Sequence, residues 1–182
     1  MENLNIYESM AERTRGDIYI GVVGPVRTGK STFIKRFMDQ MVLPNLKEGH
    51  LKSQVTDELP QSGTGRTITT TEPKFIPADA VELRLSGNAR FKVRMVDCVG
   101  YMVKNAIGHM EDDRPRMLNT PWQENKIPFA EAAEIGTRKV IKDHSTIGIL
   151  VTTDGSICDI PREDYIPAEE RVVKELKELK SL

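Results

Sequence analysis

The sequence predicts an α/β domain in which helices cover both faces of a mostly parallel sheet that has one antiparallel hairpin strand. Three observations support this prediction: an apolar run that leads through a glycine loop into a helix (18–42), two alternating segments joined by a turn (81–97), and a continuous apolar run followed by an amphipathic helix (146–182). The order strand, helix, hairpin, helix, strand, helix predicts a three-layer α/β sandwich.

Composition is that of an ordinary soluble domain. The 182 residues, 38% hydrophobic and 29% charged, suffice for one domain with a substantial core. A net charge of -1 gives no overall basic field for nucleic-acid binding. Cys98 and Cys158 lie far apart, so neither a disulfide framework nor a thiolate zinc site is expected. We see no secretory leader or apolar run of ~20 residues, and expect a cytoplasmic protein that reaches a membrane only through a partner.

The first of the three features has the spacing of a phosphate-binding loop, or P-loop. Glycines in such a loop let successive backbone N–H groups point at phosphate oxygens beside the positive end of the next helix. We expect Lys30 to reach the terminal phosphates and the Ser31 hydroxyl to ligate Mg²⁺. The alternative is a plain glycine turn after a buried strand. The expected nucleotide-binding residues are Gly24, Pro25, Val26, Arg27, Thr28, Gly29, Lys30, Ser31 and Thr32.

One predicted segment precedes the first strand and another follows the P-loop helix. Residues 1–16 are expected to form a short amphipathic helix ahead of the strand. The helix after the P-loop is expected to end at Pro44-Asn45. Residues 44–77, which are rich in Gly, Ser, Thr and charge, are predicted to be a switch-like loop. A threonine in such a loop can bring its hydroxyl to Mg²⁺ and its N–H to a γ-phosphate. The candidates for this role are Thr70 and Thr71, and Thr70 is also an expected metal ligand. The alternative is that these threonines have no such role, because threonine is common in extended, half-buried segments.

Asp97 ends the predicted hairpin and begins the motif Asp97-Cys98-Val99-Gly100. A carboxylate at the C-terminal end of a strand can order Mg²⁺, usually through water, and a glycine three residues later can bring its N–H to the γ-phosphate. We therefore expect Asp97 to be a metal site and Gly100 to contact nucleotide. The alternative is a plain turn at the strand end.

The second half of the chain continues the α/β pattern. Residues 101–128 are expected to be an irregular insertion in which Trp122 anchors its loop, with a partner contact as the alternative; 129–144 should be a helix that ends at His144. Residues 146–153 should form a strand and 167–182 a helix. That strand would leave an apolar sheet edge, so we expect a C-terminally truncated domain of a longer protein. No Asn-Lys-x-Asp follows, which leaves ATP or GTP open.

Nine stretches, spread over essentially the whole chain, resemble the N-terminal ATPase region of the stage IV sporulation protein A family of endospore-forming Firmicutes, the spore coat morphogenetic ATPases. The stretches are Ala11-Glu12-Arg13-Thr14, Gly16-Asp17-Ile18-Tyr19, Gly24 to Phe37, Asp57-Glu58-Leu59-Pro60-Gln61-Ser62, Thr70-Thr71-Glu72-Pro73-Lys74-Phe75, Val96-Asp97-Cys98-Val99-Gly100-Tyr101, Asn119-Thr120-Pro121-Trp122, Glu131 to Val140, and His144-Ser145-Thr146-Ile147-Gly148.

The resemblance implies that residues 1–182 are a P-loop ATPase domain of the translation-factor-related GTPase class, with the family's middle and C-terminal domains absent. ATP and Mg²⁺ would be its ligands. Carried over by position, Lys30, Asp97, Thr70 and Thr71 would be catalytic. Tyr101 stands where many GTPases keep a water-orienting glutamine, which implies slow hydrolysis.

The resemblance also implies a biological setting. Hydrolysis would drive self-assembly of the basement layer of the spore coat, in the mother-cell cytoplasm at the outer forespore surface. Implied partners are further copies of the protein, a small amphipathic membrane-anchoring peptide and other coat proteins. Two alternatives stay open: a structural assembly module whose turnover is incidental, and a GTPase switch.

Overall fold

The computed structural model describes residues 17–60, 71–84, 90–106, 108–111 and 114–179. The predicted N-terminal helix (1–16) and Thr70 lie outside these residues. Along the chain the elements are β1 (Asp17–Val23), α1 (Lys30–Phe37), α2 (His50–Glu58), β2 (Lys74–Arg84), β3 (Arg90–Asp97), β4 (Met110–Glu111), β5 (Arg114–Pro115), β6 (Met117–Thr120), β7 (Gln123–Pro128), α3 (Phe129–Asp143), β8 (Ile147–Leu150) and α4 (Arg162–Leu179).

The central sheet has the strand order β2-β3-β1-β8 within the described residues. β1 is parallel to both β3 and β8, whereas β2 pairs antiparallel with β3. This confirms the predicted α/β class and the mostly parallel sheet with one antiparallel hairpin strand. Because β1, β3 and β8 run in the same direction, their carboxyl ends meet at one edge of the sheet, which is where open α/β sheets bind ligands.

Apolar side chains on β1 alternate between the two faces of the sheet. Ile20 and Val22 belong to the hydrophobic cluster that includes Ile34 of α1, and Val23 belongs to the cluster that includes Val140 of α3. Helices therefore pack on both faces, and the side-chain period of two on a strand explains why one strand serves both cores. The cluster that contains Val23 and Val140 also includes buried residues of α4, namely Tyr165, Ala168 and Val172.

The segment 44–77 is not one loop, and this prediction is wrong in two places. Helix α1 continues through a π-helical turn (Met38–Val42) and a 3₁₀ turn (Leu43–Asn45), after which residues 50–58 form α2. Only Val55 of α2 is buried, so its sequence gives almost no amphipathic signal. β2 begins at Lys74, inside the predicted loop. The sequence did not reveal this start, because a register shift between Ile76 and Val81 interrupts the alternation of the strand.

The segment 101–128 is also more regular than predicted, because it contains the hairpins β4–β5 and β6–β7. Their strands are two to six residues long and mostly exposed, so they show no apolar alternation. Trp122, in the turn between β6 and β7, lies beside α3, where the Lys139 ammonium is 6.0 Å from its ring centre. This placement favours the anchoring role.

The last elements agree with the sequence in type and order, but β8 (Ile147–Leu150) is shorter than the predicted strand 146–153 and α4 starts earlier than predicted. His144 is the C-terminal cap of α3, as predicted, and β8 occupies an edge of the described sheet. α4 begins at Arg162, so Pro167 lies inside the helix instead of starting it. Across the described ranges, no helix combines the length and the apolarity needed to cross a membrane.

A pair of strand glycines tests how tightly α3 packs on the sheet. Gly21 and Gly148 are register partners on β1 and β8. A Cβ on Gly21 would overlap Ser145 Oγ and lie 2.9 Å from Ser145 Cβ, whereas a Cβ on Gly148 would meet only the flexible end of Leu176. Gly21→Ala should lower the free energy of unfolding by about 2 kcal/mol, the usual scale of overpacking.

Gly148→Ala is the matched control and should cost less than about 1 kcal/mol, because the Leu176 side chain can rotate away. Denaturant unfolding of both variants measures the difference. Equal losses in the two variants would contradict the described packing of Ser145 against β1.

Candidate functional site

The P-loop lies at the edge where the parallel strands end. Gly24 has φ 145° and Gly29 has φ 87°, conformations that side chains disfavour, and a Cβ on Gly24 would overlap the Val151 carbonyl oxygen beyond β8. Gly29 caps α1, which begins at Lys30. The two glycines therefore turn the chain from β1 into a helix N-terminus, the arrangement that suits phosphate.

Lys30 brings a cation into this turn while remaining only 4% exposed. Its Nζ donates a hydrogen bond of 2.6 Å to the Pro25 carbonyl oxygen, which also accepts one of 3.0 Å from Thr28 Oγ1. Burial lowers the pKa of Lys30, and the negative charge of Asp97 partly opposes this shift. A phosphate group beside Lys30 would stabilise its charged form, so the loop has the chemistry of an anion site.

Asp97 lies beside Lys30 at the end of β3. Its two carboxylate oxygens accept hydrogen bonds from Ser31 Oγ at 2.6 Å and from the Cys98 N–H at 2.9 Å. Burial raises the pKa of Asp97, and the Ser31 hydrogen bond and the Lys30 charge oppose that shift. The structure therefore brings together Lys30, Ser31 and Asp97, which the sequence predicted to act together.

The Ser31 and Asp97 oxygens also fit the Mg²⁺ expected from the sequence. Mg²⁺ takes hard oxygen ligands and usually keeps several waters and substrate phosphates around one or two protein groups. A divalent cation would stabilise a carboxylate whose charged form is disfavoured by burial. No group of three or more His, Cys, Asp or Glu side chains suited to a metal occurs in the described ranges.

Gly100 lies against the P-loop, but its N–H points elsewhere. A Cβ on Gly100, which has φ 98°, would overlap the Gly24 carbonyl oxygen and lie 2.6 Å from Lys30 Nζ. The Gly100 N–H donates a 3.1 Å hydrogen bond to Thr137 Oγ1 on α3. The predicted phosphate contact would therefore require this N–H to leave Thr137.

Tyr101 ties the P-loop to α4. Its N–H donates to the Gly24 carbonyl at 3.2 Å, and its carbonyl accepts from the Val26 N–H at 2.8 Å. Its hydroxyl donates to the Glu175 carboxylate, and the Arg171 guanidinium lies 4.3 Å from its ring centre. Burial, followed by the Glu175 contact, raises the pKa of Tyr101 well above its ordinary value. The hydroxyl is thus occupied by its hydrogen bond to Glu175 on α4.

The remaining predicted residues have other surroundings. Thr71 is buried and its carbonyl oxygen packs against Gly136 of α3, while Thr32 on α1 is exposed. Arg27 has φ 61°, and its carbonyl oxygen accepts a weak hydrogen bond from Cys158 Sγ at 3.8 Å. The loop after β8 therefore contacts the P-loop as well.

Sequence reasoning missed Thr137 and Glu175. Thr137 lies on the inward face of α3 with Ala133, Gly136 and Val140, all buried. A threonine on an otherwise apolar or small-residue helical face is a signal, because its buried hydroxyl needs partners. Glu175 gave a weaker signal of the same kind: it is a charged residue on the face of α4 that also carries the inward-facing Val172 and Leu176.

The Tyr101 hydroxyl gives a test that separates a structural role from a catalytic one. Tyr101→Phe leaves the Glu175 carboxylate short of a buried donor, so it should lower the free energy of unfolding by about 1–3 kcal/mol. Nucleotide affinity and turnover should stay within about twofold, because the hydroxyl contacts α4. Thermal unfolding and phosphate release measure the two effects, and a large loss of turnover in a folded variant would contradict this placement.

Comparison with known proteins identifies the family. Residues 1–181 match the family model described as Stage IV sporulation protein A, ATPase domain. The proteins named Stage IV sporulation protein A from Clostridioides difficile (strain 630), Bacillus anthracis and Bacillus subtilis (strain 168) are 59%, 60% and 59% identical to the chain. Each match covers 98% of the chain and 36% of the relative, so the chain spans about a third of their length. No solved structure matches significantly. This chain belongs to the Stage IV sporulation protein A family and corresponds to its ATPase domain.

Proposed function

We propose that this chain binds ATP with Mg²⁺ on its P-loop and hydrolyses it to ADP and phosphate, within a P-loop sandwich of the translation-factor-related class. The observation that supports this most directly is the buried Lys30 ammonium beside the hydrogen-bonded pair of Ser31 and Asp97. A cation and a carboxylate, both disfavoured by burial, suit a ligand that is itself a polyanion with a divalent cation.

Binding would use main-chain and side-chain groups for different parts of the nucleotide. The N–H groups of the loop and of the α1 N-terminus cradle phosphate oxygens, and Lys30 exchanges its Pro25 contact for a terminal phosphate. Ser31 and Asp97 would hold Mg²⁺ with their oxygen atoms. When bound, Mg²⁺ supplies charge neutralisation on the phosphate oxygens.

Hydrolysis would then rely on positioning and charge. The oxygen of a water molecule forms a bond with the γ-phosphorus as the bond to the bridging oxygen of ADP breaks, and the water protons pass to phosphate and solvent. Lys30 stabilises the oxygens of the transferring group. Because the Tyr101 hydroxyl is held by Glu175, the attacking water would have to be oriented by other groups, with Thr70 and Thr71 as candidates. We therefore propose slow turnover.

Hydrolysis would be coupled to self-assembly of a spore coat basement layer around the forespore. This step comes from the family resemblance, and the relatives are named for sporulation. The same resemblance supports a location in the mother-cell cytoplasm at the outer forespore surface. A small amphipathic membrane-anchoring peptide and other coat proteins would be the partners of the full-length protein.

A second candidate is a structural assembly module in which nucleotide is a stabilising ligand and turnover is incidental. The engagement of Tyr101 by α4 favours this alternative, because it leaves the usual water-orienting position without a free polar group. The two candidates share the binding site and differ in whether hydrolysis is needed for assembly. A GTPase switch differs from both only in its preferred base.

Substitution of Lys30 tests the binding site. With Mg-ATP at about 100 times its Kd, the wild-type chain should gain about 2.7 kcal/mol of stability, roughly 5–10 °C in Tm. Lys30→Met should abolish this gain and lower phosphate release by about 100-fold or more. The matched control is Lys35→Met, a lysine farther along α1, which should retain both.

Asp97→Asn, with Asp39→Asn as its control, tests the metal side in the same assays. It should weaken the dependence of binding on Mg²⁺ and reduce turnover, while the control variant behaves as wild type. Unchanged turnover and assembly of the full-length protein in both Lys30→Met and Asp97→Asn would contradict the enzyme proposal. Tighter binding of GTP than of ATP in direct competition would overturn the choice of nucleotide.

A further inference from the structure

Two adjacent residues of α3 contact both segments that the sequence predicts to sense a γ-phosphate. Thr137 Oγ1 accepts the N–H of Gly100, which follows Asp97 by three residues. A Cβ on Gly136 would overlap the Thr71 carbonyl oxygen, so the Thr71 main chain lies directly on that glycine. Within the described residues, α3 thus provides a common docking surface for the two segments.

The Thr137 hydroxyl is a fixed acceptor in this position. The side chain is 0% exposed, and its single proton is donated to the Ala133 carbonyl oxygen at 2.7 Å. Only its lone pairs therefore remain for the Gly100 N–H at 3.1 Å. Because Gly100 is itself buried, loss of this acceptor would leave its desolvated N–H with only the Cys98 sulfur, a weak acceptor, within reach.

Gly100 also borders the proposed phosphate site. A Cβ built on it would lie 2.6 Å from Lys30 Nζ, and the φ of 98° belongs to a backbone region that glycine enters without a side-chain penalty. A phosphate bound by Lys30 would therefore lie near the Gly100 amide. Phosphate oxygen and Thr137 Oγ1 are alternative acceptors for one N–H donor.

We propose that Thr137 is a positioning residue that holds the Gly100 N–H on α3 in competition with the γ-phosphate of a bound nucleoside triphosphate. This inference rests on the proposed nucleotide site. A nucleoside diphosphate lacks the competing group, so Thr137 lowers affinity for the triphosphate alone. Release of Gly100, together with movement of Thr71 from Gly136, signals the triphosphate state to α3.

The decisive comparison is between Thr137→Val, which keeps the shape and removes the acceptor, and Thr137→Ser, which keeps the hydroxyl. Calorimetric titrations of this chain would use Mg-ADP and the non-hydrolysable Mg-AMP-PNP. Thr137→Val should bind Mg-AMP-PNP about three- to tenfold more tightly than wild type, the range expected for one hydrogen bond, and Mg-ADP within about twofold. Thr137→Ser should match wild type for both nucleotides.

Trp122 provides a second readout, which can be recorded on the wild-type chain as well as on the variants. It is the single tryptophan of the chain, and its Cη2 lies 3.4 Å from the position of a Cβ on Gly136, beside the Thr71 main chain. Mg-AMP-PNP should therefore change the tryptophan emission of the wild-type chain, and Mg-ADP should change it little. Thr137→Val should need less Mg-AMP-PNP for the same change.

The outcomes separate this inference from the proposed function. If both nucleotides bind wild type but the affinity ratio is the same in Thr137→Val, or both nucleotides change the Trp122 emission equally, the inference is wrong and the nucleotide site stands. If neither nucleotide binds the folded wild-type chain, the proposed function and the inference both fail. Tighter Mg-AMP-PNP binding by Thr137→Ser as well would also contradict the role of the hydroxyl.

Discussion

The buried ammonium of Lys30 is the constraint on which the rest of the site depends. A buried cation at the junction of sheet and helix needs compensation: the Pro25 carbonyl accepts its hydrogen bond, and the nearby Asp97 carboxylate contributes an opposite charge. Asp97 in turn is held by Ser31 and by the first N–H after β3. These hydrogen bonds link the loop and the start of α1 to the end of β3, close to the buried charge.

Tyr101 extends this constraint to the far side of the sheet. Its main chain is hydrogen bonded to Gly24 and Val26, and its side chain to Glu175 on α4. Tyr101 is therefore part of the packing between the P-loop and α4. A change in the P-loop would therefore reach α4 through one residue.

The sequence predicted the parts of the site that obey local rules. Gly24, Gly29 and Lys30 follow from a fixed spacing, and Asp97 follows from its place at a strand end. Helix α2 and the β6–β7 hairpin were missed because their exposed residues have no apolar period. Thr137 could not be assigned, because its role depends on a contact with Gly100, 37 residues away, that only the packing of α3 on the sheet creates.

The most direct test of this account is the pKa of Lys30 measured by NMR on labelled lysine side chains, with and without Mg-AMP-PNP. The account predicts a pKa below the ordinary value of 10.5 in the free protein and a rise when the triphosphate binds, because phosphate replaces the Pro25 carbonyl as its partner. An ordinary pKa that does not change with nucleotide would contradict the claim that a buried cation organises the site.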